Sequence, residues 1–177
     1  MTKYETIIIG GGPAGLTSGL YASRAGLKTL IIEKAIIGGQ IVNAQKVENY
    51  PGFPDGISGF DLAMHMQEQA VKYGVEIVSD EVLEVGASRL HLVRTSSASY
   101  QTETIIIAAG AQYSKLGIPG EDEYLGKGIS YCATCDGFMF RDKVVAVIGG
   151  GDTAVSDALE LAQHCTKVYL IHRRDSL

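Results

Sequence analysis

The sequence predicts an α/β chain in which helices cover a parallel sheet and one β-α-β unit occurs twice. Continuous apolar runs, Thr6-Ile7-Ile8-Ile9 and Val144-Val145-Ala146-Val147-Ile148, show no polar alternation and suit strands buried on both faces. Each runs straight into a glycine loop that opens a helical pattern. The loops are Gly10-Gly11-Gly12-Pro13-Ala14-Gly15 and Gly149-Gly150-Gly151-Asp152-Thr153-Ala154, offset by 139 residues.

In the first unit, Leu16, Leu20 and Tyr21 recur at helical spacing through Ala25, and Gly26 ends the helix. Thr29-Leu30-Ile31-Ile32-Glu33 is a second buried strand. The Gly/Pro/Asn-rich stretch 38–59 is too long for a simple connection, and loops of that size inside compact domains are usually functional. A helix over 60–73 follows, with Ala63, Met66, Ala70 and Tyr73 on one face and Gly74 as its stop. Val75-Glu76-Ile77-Val78 begins a strand. Between Val82 and Ala108 short runs broken by Ser and Gly, with Leu90, Leu92 and Arg94 at period two, predict antiparallel hairpins. Thr104-Ile105-Ile106-Ile107-Ala108 is another buried strand, ending in Ala109-Gly110-Ala111.

Residues 112–127 are polar, with a Pro119-Gly120 turn, and predict a domain linker. The expected division is 1–112 and 116–177. The second unit repeats the first: the strand at 144–148, the glycine loop, a helix to about His164, and the strand Val168-Tyr169-Leu170-Ile171. Its last residues directly follow that strand. One β-α-β unit does not cover both faces of a parallel sheet, so an incomplete second domain is expected.

Composition narrows the function. With 46% hydrophobic and 20% charged residues the chain has material for a packed core, which excludes a disordered tail. A net charge of −5 argues against nucleic acid, since phosphate binding needs clustered Lys and Arg. No apolar run reaches the roughly 20 residues of a membrane span. Met1-Thr2-Lys3-Tyr4-Glu5 lacks the apolar region of a signal peptide, so a cytoplasmic location is expected. Three Cys make a poor disulfide framework and suit a reducing compartment.

Three motifs carry chemistry. In Gly10-x-Gly12-x-x-Gly15, the first Gly permits the tight turn, the second lets a pyrophosphate approach the backbone, and the third lets helix and strand pack closely. The helix start offers N–H groups and a positive dipole end to phosphates. Glu33, ending the next strand, can accept from both ribose hydroxyls and would repel a 2′-phosphate, which suits FAD or NAD rather than NADP. The bland alternative is a structural Gly-rich turn.

The second loop, Gly149-x-Gly151-x-x-Ala154, uses an accepted Ala variant of this pattern. Its next strand ends in His172-Arg173-Arg174, whose guanidiniums can fork onto a 2′-phosphate and favour NADPH; the alternative is a solvated basic strand end.

Cys132-Ala133-Thr134-Cys135 is the redox candidate, because thiols at this spacing can close a small disulfide ring. A zinc site would need a second Cys or His pair, and His164-Cys165 stands alone, so no metal is expected. A structural thiol pair is the remaining alternative. Asp136 can serve as an acid–base group if burial raises its pKa, or as an ordinary turn residue. Cys165 is expected to be an inert buried thiol on a helix. His65, His91 and His164 suggest no ligation.

These motifs, with Gly38-Gly39-Gln40, Val47-Glu48-Asn49-Tyr50-Pro51-Gly52-Phe53, Ile107-Ala108-Ala109-Gly110-Ala111 and His172-Arg173-Arg174-Asp175-Ser176, occur in an order that closely resembles low-molecular-weight thioredoxin reductases. The resemblance covers the whole chain. It implies an FAD/NAD(P)-binding Rossmann-like fold of three-layer ββα type with a small antiparallel meander, FAD on the first unit and NADPH on the second. It further implies thioredoxin as protein substrate, a homodimer, and a large rotation between domains during turnover.

Carried over by residue, Cys135 would face the flavin, Cys132 would attack thioredoxin and Asp136 would be the acid–base group. FAD would be held by Gly10, Gly12, Pro13, Ala14, Gly15, Glu33, Lys34, Gly39, Gln40, Asn49, Ala109 and Gly110. NADPH would be held by Gly149, Gly151, Asp152, Thr153, Ala154, His172, Arg173 and Arg174. The family's arginine motif continues to a further Arg, and its FAD domain is closed by a later Gly-Asp segment. Neither is present, so the chain is expected to hold the first FAD piece and about half of the NADPH domain. Ala109 stands where Thr is common.

Two relatives share the motifs. A peroxide-reducing flavoprotein carries an N-terminal extension, whereas here the first strand starts five residues after Met1. A ferredoxin-dependent relative is disfavoured by the intact Gly149 loop and Arg173-Arg174. A flavin- or nucleotide-binding fragment without activity is the alternative from another class.

Overall fold

The structure, a computed structural model, describes residues 1–175. Ser176, the last residue of the His172–Ser176 motif, lies outside the described residues. The chain divides into two compact units, Met1–Gln112 and Tyr113–Leu177.

The first unit is built on a six-stranded sheet in the order β3-β2-β1-β6-β5-β4. Its strands are β1 (Thr2–Ile9), β2 (Thr29–Glu33), β3 (Glu76–Ser79), β4 (Val82–Gly86), β5 (His91–Thr95) and β6 (Ser99–Ile107). β1 is central, pairing in parallel with β2 (Ile7 opposite Leu30) and with β6 (Ile7 opposite Ile105). β6 pairs antiparallel with β5, and β5 with β4. Alternate residues of β1 and β2 feed two layers, as the period of two requires. Ile8 and Ile31 pack with Leu16 of helix α1 (Pro13–Arg24), Ala70 of helix α2 (Gly59–Lys72) and Val75. Tyr4, Ile7, Leu30 and Ile32 pack with Val93 of β5, so the antiparallel ribbon folds back across that face. Helices, parallel sheet and ribbon thus form the three layers expected.

The period-two pattern alone does not say which face of the ribbon is buried. Val93 and Thr95 are buried, while Leu92 is 38% exposed. Arg94 donates to Glu84 across the strands at 2.6 Å, which marks that face as the wet one. Two apolar neighbours, Leu92 and Val93, leave the phase ambiguous until the cross-strand partner is known. Tyr73 is likewise exposed and takes the Arg24 guanidinium over its ring. The 38–59 stretch contains a short 3-10 helix, Gly39–Asn43, and an antiparallel bridge between Val47 and Ile57. Ile107 is exposed, although its run reads as buried.

The second unit holds the parallel pair β7 (Val144–Ile148) and β8 (Lys167–Ile171), joined by helix α4 (Asp152–Leu161). Both strands alternate between half-buried and exposed residues, unlike the doubly buried strands expected from their apolar runs. Only one face is covered, so one set of side chains stays in solvent. α4 stops short of His164, and Cys165 lies beyond it in a turn, half-buried, its thiol donating to the Phe140 carbonyl.

The segment entering this unit is not a slack connection. Glu121, 5% exposed, accepts from the Leu116 amide at 2.8 Å, the Gly117 amide at 2.7 Å and the Tyr131 hydroxyl at 2.5 Å. Tyr131 stacks on Tyr113, ring centroids 5.0 Å apart. The Tyr131 hydroxyl, then the amides, hold the Glu121 carboxyl down at about 2, and the same bond pushes Tyr131 up to about 12. Donors that satisfy the ionised carboxylate stabilise the folded state only while it is ionised.

Two outcomes are expected. A Cβ on Gly15 would overlap the Gly10 carbonyl oxygen, a backbone atom without a rotamer to escape into. Gly15→Ala is expected to cost about 1–3 kcal/mol in urea denaturation, the usual penalty of overpacking; a neutral result refutes the close-packing account. Glu121's contribution is present above its ordinary value of 4.5 and is lost as pH falls toward 2. The stability gap between wild type and Glu121→Gln, followed by tyrosine fluorescence in urea, should close over that window. A gap of constant size would show that Glu121 is not held as described.

Candidate functional site

In the first unit, the carboxyl ends of β1, β2 and β6 converge on the first glycine loop. Gly10 has φ +108°, a conformation open to glycine, and its amide donates to the Ile32 carbonyl at 2.9 Å. Gly12 caps α1 without a side-chain bond, and Pro13 at the first helical position has no N–H to satisfy. Leu16 N–H is taken by the Gly12 carbonyl at 2.9 Å. Among the described residues, the amides of Ala14 and Gly15 have no acceptor, so the α1 start presents donors and a positive dipole end to an anion. A Cβ on Gly12 would meet only the Gly38 carbonyl, at 3.8 Å. The space above it is open.

Glu33 ends β2 beside this cradle. Its Oε2 accepts from the Gly11 amide at 2.6 Å and its Oε1 from the Ala35 amide at 2.8 Å. Each oxygen keeps a further lone pair for a hydroxyl. Lys34 faces Glu81 at 4.0 Å. The 3-10 helix is docked on the loop, with the Gly38 amide donating to the Gly11 carbonyl at 2.8 Å. From there Gln40 reaches the Ala111 carbonyl, just beyond Ala109 and Gly110 at the end of β6. The backbone therefore brings Gly10–Gly15, Glu33, Gly39, Gln40, Ala109 and Gly110 to one sheet end. Asn49 is exposed on the 44–58 loop and, among the described residues, has no side-chain hydrogen bond to them.

The second loop repeats these bonds. Gly149 N–H donates to Ile171 at 2.9 Å and Val155 N–H to Gly151 at 3.1 Å, each displaced by the repeat from its counterpart in the first unit. Gly151 caps α4 with open space above it. Asp152 and Thr153 are exposed at the helix start, and Ala154 lies close behind Gly149. The His172 ring packs against Gly150 at the end of β8, its Nδ1 buried without a hydrogen-bond partner among the described residues, and Arg173 and Arg174 follow, exposed.

Cys132 and Cys135 are joined as a disulfide, Cα atoms 5.3 Å apart. They flank the start of a one-turn helix α3 (Ala133–Asp136), of which Cys132 is the N-cap, its sulfur accepting the Cys135 amide at 3.1 Å. Cys132 is half-buried and Cys135 exposed. Thr134 donates to Glu160 of α4 at 2.8 Å, tying the loop to the helix after the second glycine loop. Ser130 Oγ lies 2.6 Å from Asp136 Oδ2 and accepts the Cys132 amide at 3.1 Å. Sequence reasoning missed Ser130, Glu121 and Tyr131. Spacing carries no signal for them, because each acts through a turn rather than a periodic element. Among the described residues no three His, Cys, Asp or Glu side chains gather as a metal site, and no helix is long and apolar enough to cross a membrane.

The chain is 48% identical over 178 aligned positions to a thioredoxin reductase of Treponema pallidum, covering 99% of this chain and 58% of the relative. It is 48% identical to that of Bacillus subtilis, covering 98% and 55%. A crystal structure of thioredoxin reductase from Streptococcus pyogenes superposes with a TM-score of 0.93 at 48% identity, over 99% of this chain and 57% of that one. The chain thus spans a little over half the length of the relatives it matches. Its sequence matches the pyridine nucleotide-disulphide oxidoreductase family over residues 4–177, and the chain belongs to that family.

Proposed function

We propose that the protein carrying this chain is an FAD-dependent NADPH:thioredoxin-disulfide oxidoreductase. Residues 1–112 would hold FAD, and residues 116–177 would contribute NADPH contacts and the redox-active pair. The observation that carries this is the bonded Cys132–Cys135 pair in a unit whose strand after the glycine loop and helix ends in basic residues, following a unit whose corresponding strand ends in Glu33. The resemblance to proteins named thioredoxin reductase supports thioredoxin as the partner.

The residues present fit both nucleotides. The amides of Ala14 and Gly15 and the open space over Gly12 fit a pyrophosphate, and the oriented Glu33 carboxylate fits ribose hydroxyls. In the second unit Gly151 and Thr153 at the α4 start fit a pyrophosphate, and His172, Arg173 and Arg174 fit a 2′-phosphate. The Gly149 loop and these arginines also favour NADPH over a ferredoxin donor. When bound, flavin and nicotinamide supply the hydride and electron-pair transfers that reduce the disulfide. This chain then presents the thiolate. The Cys135 N–H directed at Cys132 Sγ stabilises negative charge there, so Cys132 is the nucleophile toward the partner's disulfide. Asp136 is the acid–base group that follows the pair. A homodimer in the cytoplasm accords with the family resemblance.

Two measurements test this in the full-length protein. Cys132→Ser and Cys135→Ser are each expected to abolish NADPH-dependent thioredoxin reduction while flavin absorbance is retained; a Cys135→Ser enzyme working at the normal rate overturns the mechanism. Gly12→Ala meets no protein atom closer than 3.8 Å, so thermal stability should hold. Its methyl would occupy the phosphate's approach, weakening FAD about tenfold or more, roughly 1.4 kcal/mol. Unchanged FAD affinity would place the cofactor elsewhere.

A further inference from the structure

The Ser130 hydroxyl is used by none of the roles above, yet it touches both sides of the redox loop. Its Oγ is 2.6 Å from Asp136 Oδ2, 3.1 Å from the Cys132 amide nitrogen and 3.2 Å from the Cys132 carbonyl oxygen. The Asp136 amide in turn donates to the Cys132 carbonyl at 3.1 Å. A hydroxyl has one proton to give and two lone pairs to offer. The Cys132 N–H takes one lone pair. The hydroxyl proton, with a carboxylate at 2.6 Å and a carbonyl at 3.2 Å, goes to the carboxylate, the shorter and charge-assisted bond. Ser130 and Asp136 are both half-buried, so the bond is shielded from full competition by water.

We propose that Ser130 is a positioning residue for the disulfide chemistry, holding the Asp136 carboxyl in one place in both of its protonation states. Toward the carboxylate Ser130 donates. Toward the carboxylic acid it accepts, by rotation about Cβ–Oγ, with no movement of the chain. The inference rests on Asp136 being the acid–base group. When a dithiol reduces the pair, an incoming thiolate bonds to one cysteine sulfur, the S–S bond breaks, and the electron pair leaves on the other sulfur. Asp136 gives that sulfur its proton. The second thiolate of the reductant then displaces the other cysteine sulfur from the mixed disulfide and closes the reductant's own disulfide. The released cysteine thiolate and Asp136 each take a proton from water, matching the two protons the reductant's thiols gave up, so two electrons and two protons in all pass to the cysteines. Proton transfer depends steeply on distance, so a carboxyl free to rotate slows the step without changing its chemistry.

Reduction of the Cys132–Cys135 disulfide by dithiothreitol in the full chain reads this out, with thiols trapped by iodoacetamide and counted by mass spectrometry. Ser130→Ala is expected to slow reduction about tenfold, a small part of the 10²–10⁴ that a general acid supplies. Ser130→Thr, which keeps the hydroxyl, should restore the rate. In an Asp136→Asn background, Ser130→Ala should add no further slowing, the signature of two groups acting as one. If Ser130→Ala slows the Asp136→Asn chain by the same factor, or if Ser130→Thr fails to recover the rate, Ser130 acts only as a backbone brace for Cys132 and the proposal falls. No NADPH, flavin or thioredoxin enters this measurement, so its failure is distinguishable from failure of the thioredoxin assignment.

Discussion

The contact on which the first unit depends is between backbone and backbone, where α1 begins against the end of β1. Gly15 of the helix lies against the Gly10 carbonyl with no room for a side chain, and Gly10 turns the chain through a positive φ to make that approach. This places the first-turn amides of α1 over the carboxyl ends of β1, β2 and β6. Everything else in the cradle is registered to it. Glu33 is aimed by the Gly11 amide, and the 3-10 helix is hung from the Gly11 carbonyl. A side chain at Gly15 would push the helix outward and lose the alignment of all three.

The same device recurs 139 residues later, and under the proposed function one backbone geometry would serve two recognition problems. Two loop hydrogen bonds recur between the units: Gly10 to Ile32 and Leu16 to Gly12 in the first match Gly149 to Ile171 and Val155 to Gly151 in the second. What differs is the charge of the residue that ends the following strand, Glu33 in one and His172-Arg173-Arg174 in the other. Phosphate affinity lies in amides common to both loops, whereas discrimination at the ribose lies in one or two side chains outside them. That division lets a duplicated unit change its preference without disturbing its fold.

This is also why so much of the fold was legible in the sequence. Glycine positions, a strand with no polar interruption and a charged strand end are local features, and they place β2 and the ends of β1 and α1 within a residue, although β1 begins four residues before the apolar run that marks it. What is missed or left open lies where the outcome depends on something distant. The buried phase of β5 turns on whether Leu92 or Val93 faces Ile7 and Leu30, residues some sixty and more positions away. β7 and β8 read as buried on both faces because their apolar runs are continuous, yet one face meets solvent. Cys165 falls beyond the helix because α4 ends at Leu161, where no glycine marks the stop.

The redox pair poses a different physical problem from the cradles. It sits on a single helical turn, too short to hold itself, since helix nucleation is unfavourable and only continued turns repay it. Its geometry must come from side-chain bonds to fixed points. On the entering side, Glu121 gathers two amides and the Tyr131 hydroxyl, and Tyr131 stacks on Tyr113 immediately before Cys132. On the leaving side, Asp136 is met by Ser130, and Thr134 is tied to Glu160 of α4. These are polar rather than apolar anchors. Under the proposed function the disulfide opens and closes, which needs a loop whose ends stay fixed while its sulfurs change bonding, and hydrogen bonds to the flanking residues would provide that without packing against the sulfurs. An apolar clamp on the same turn would bury Cys135, which this arrangement leaves exposed for exchange.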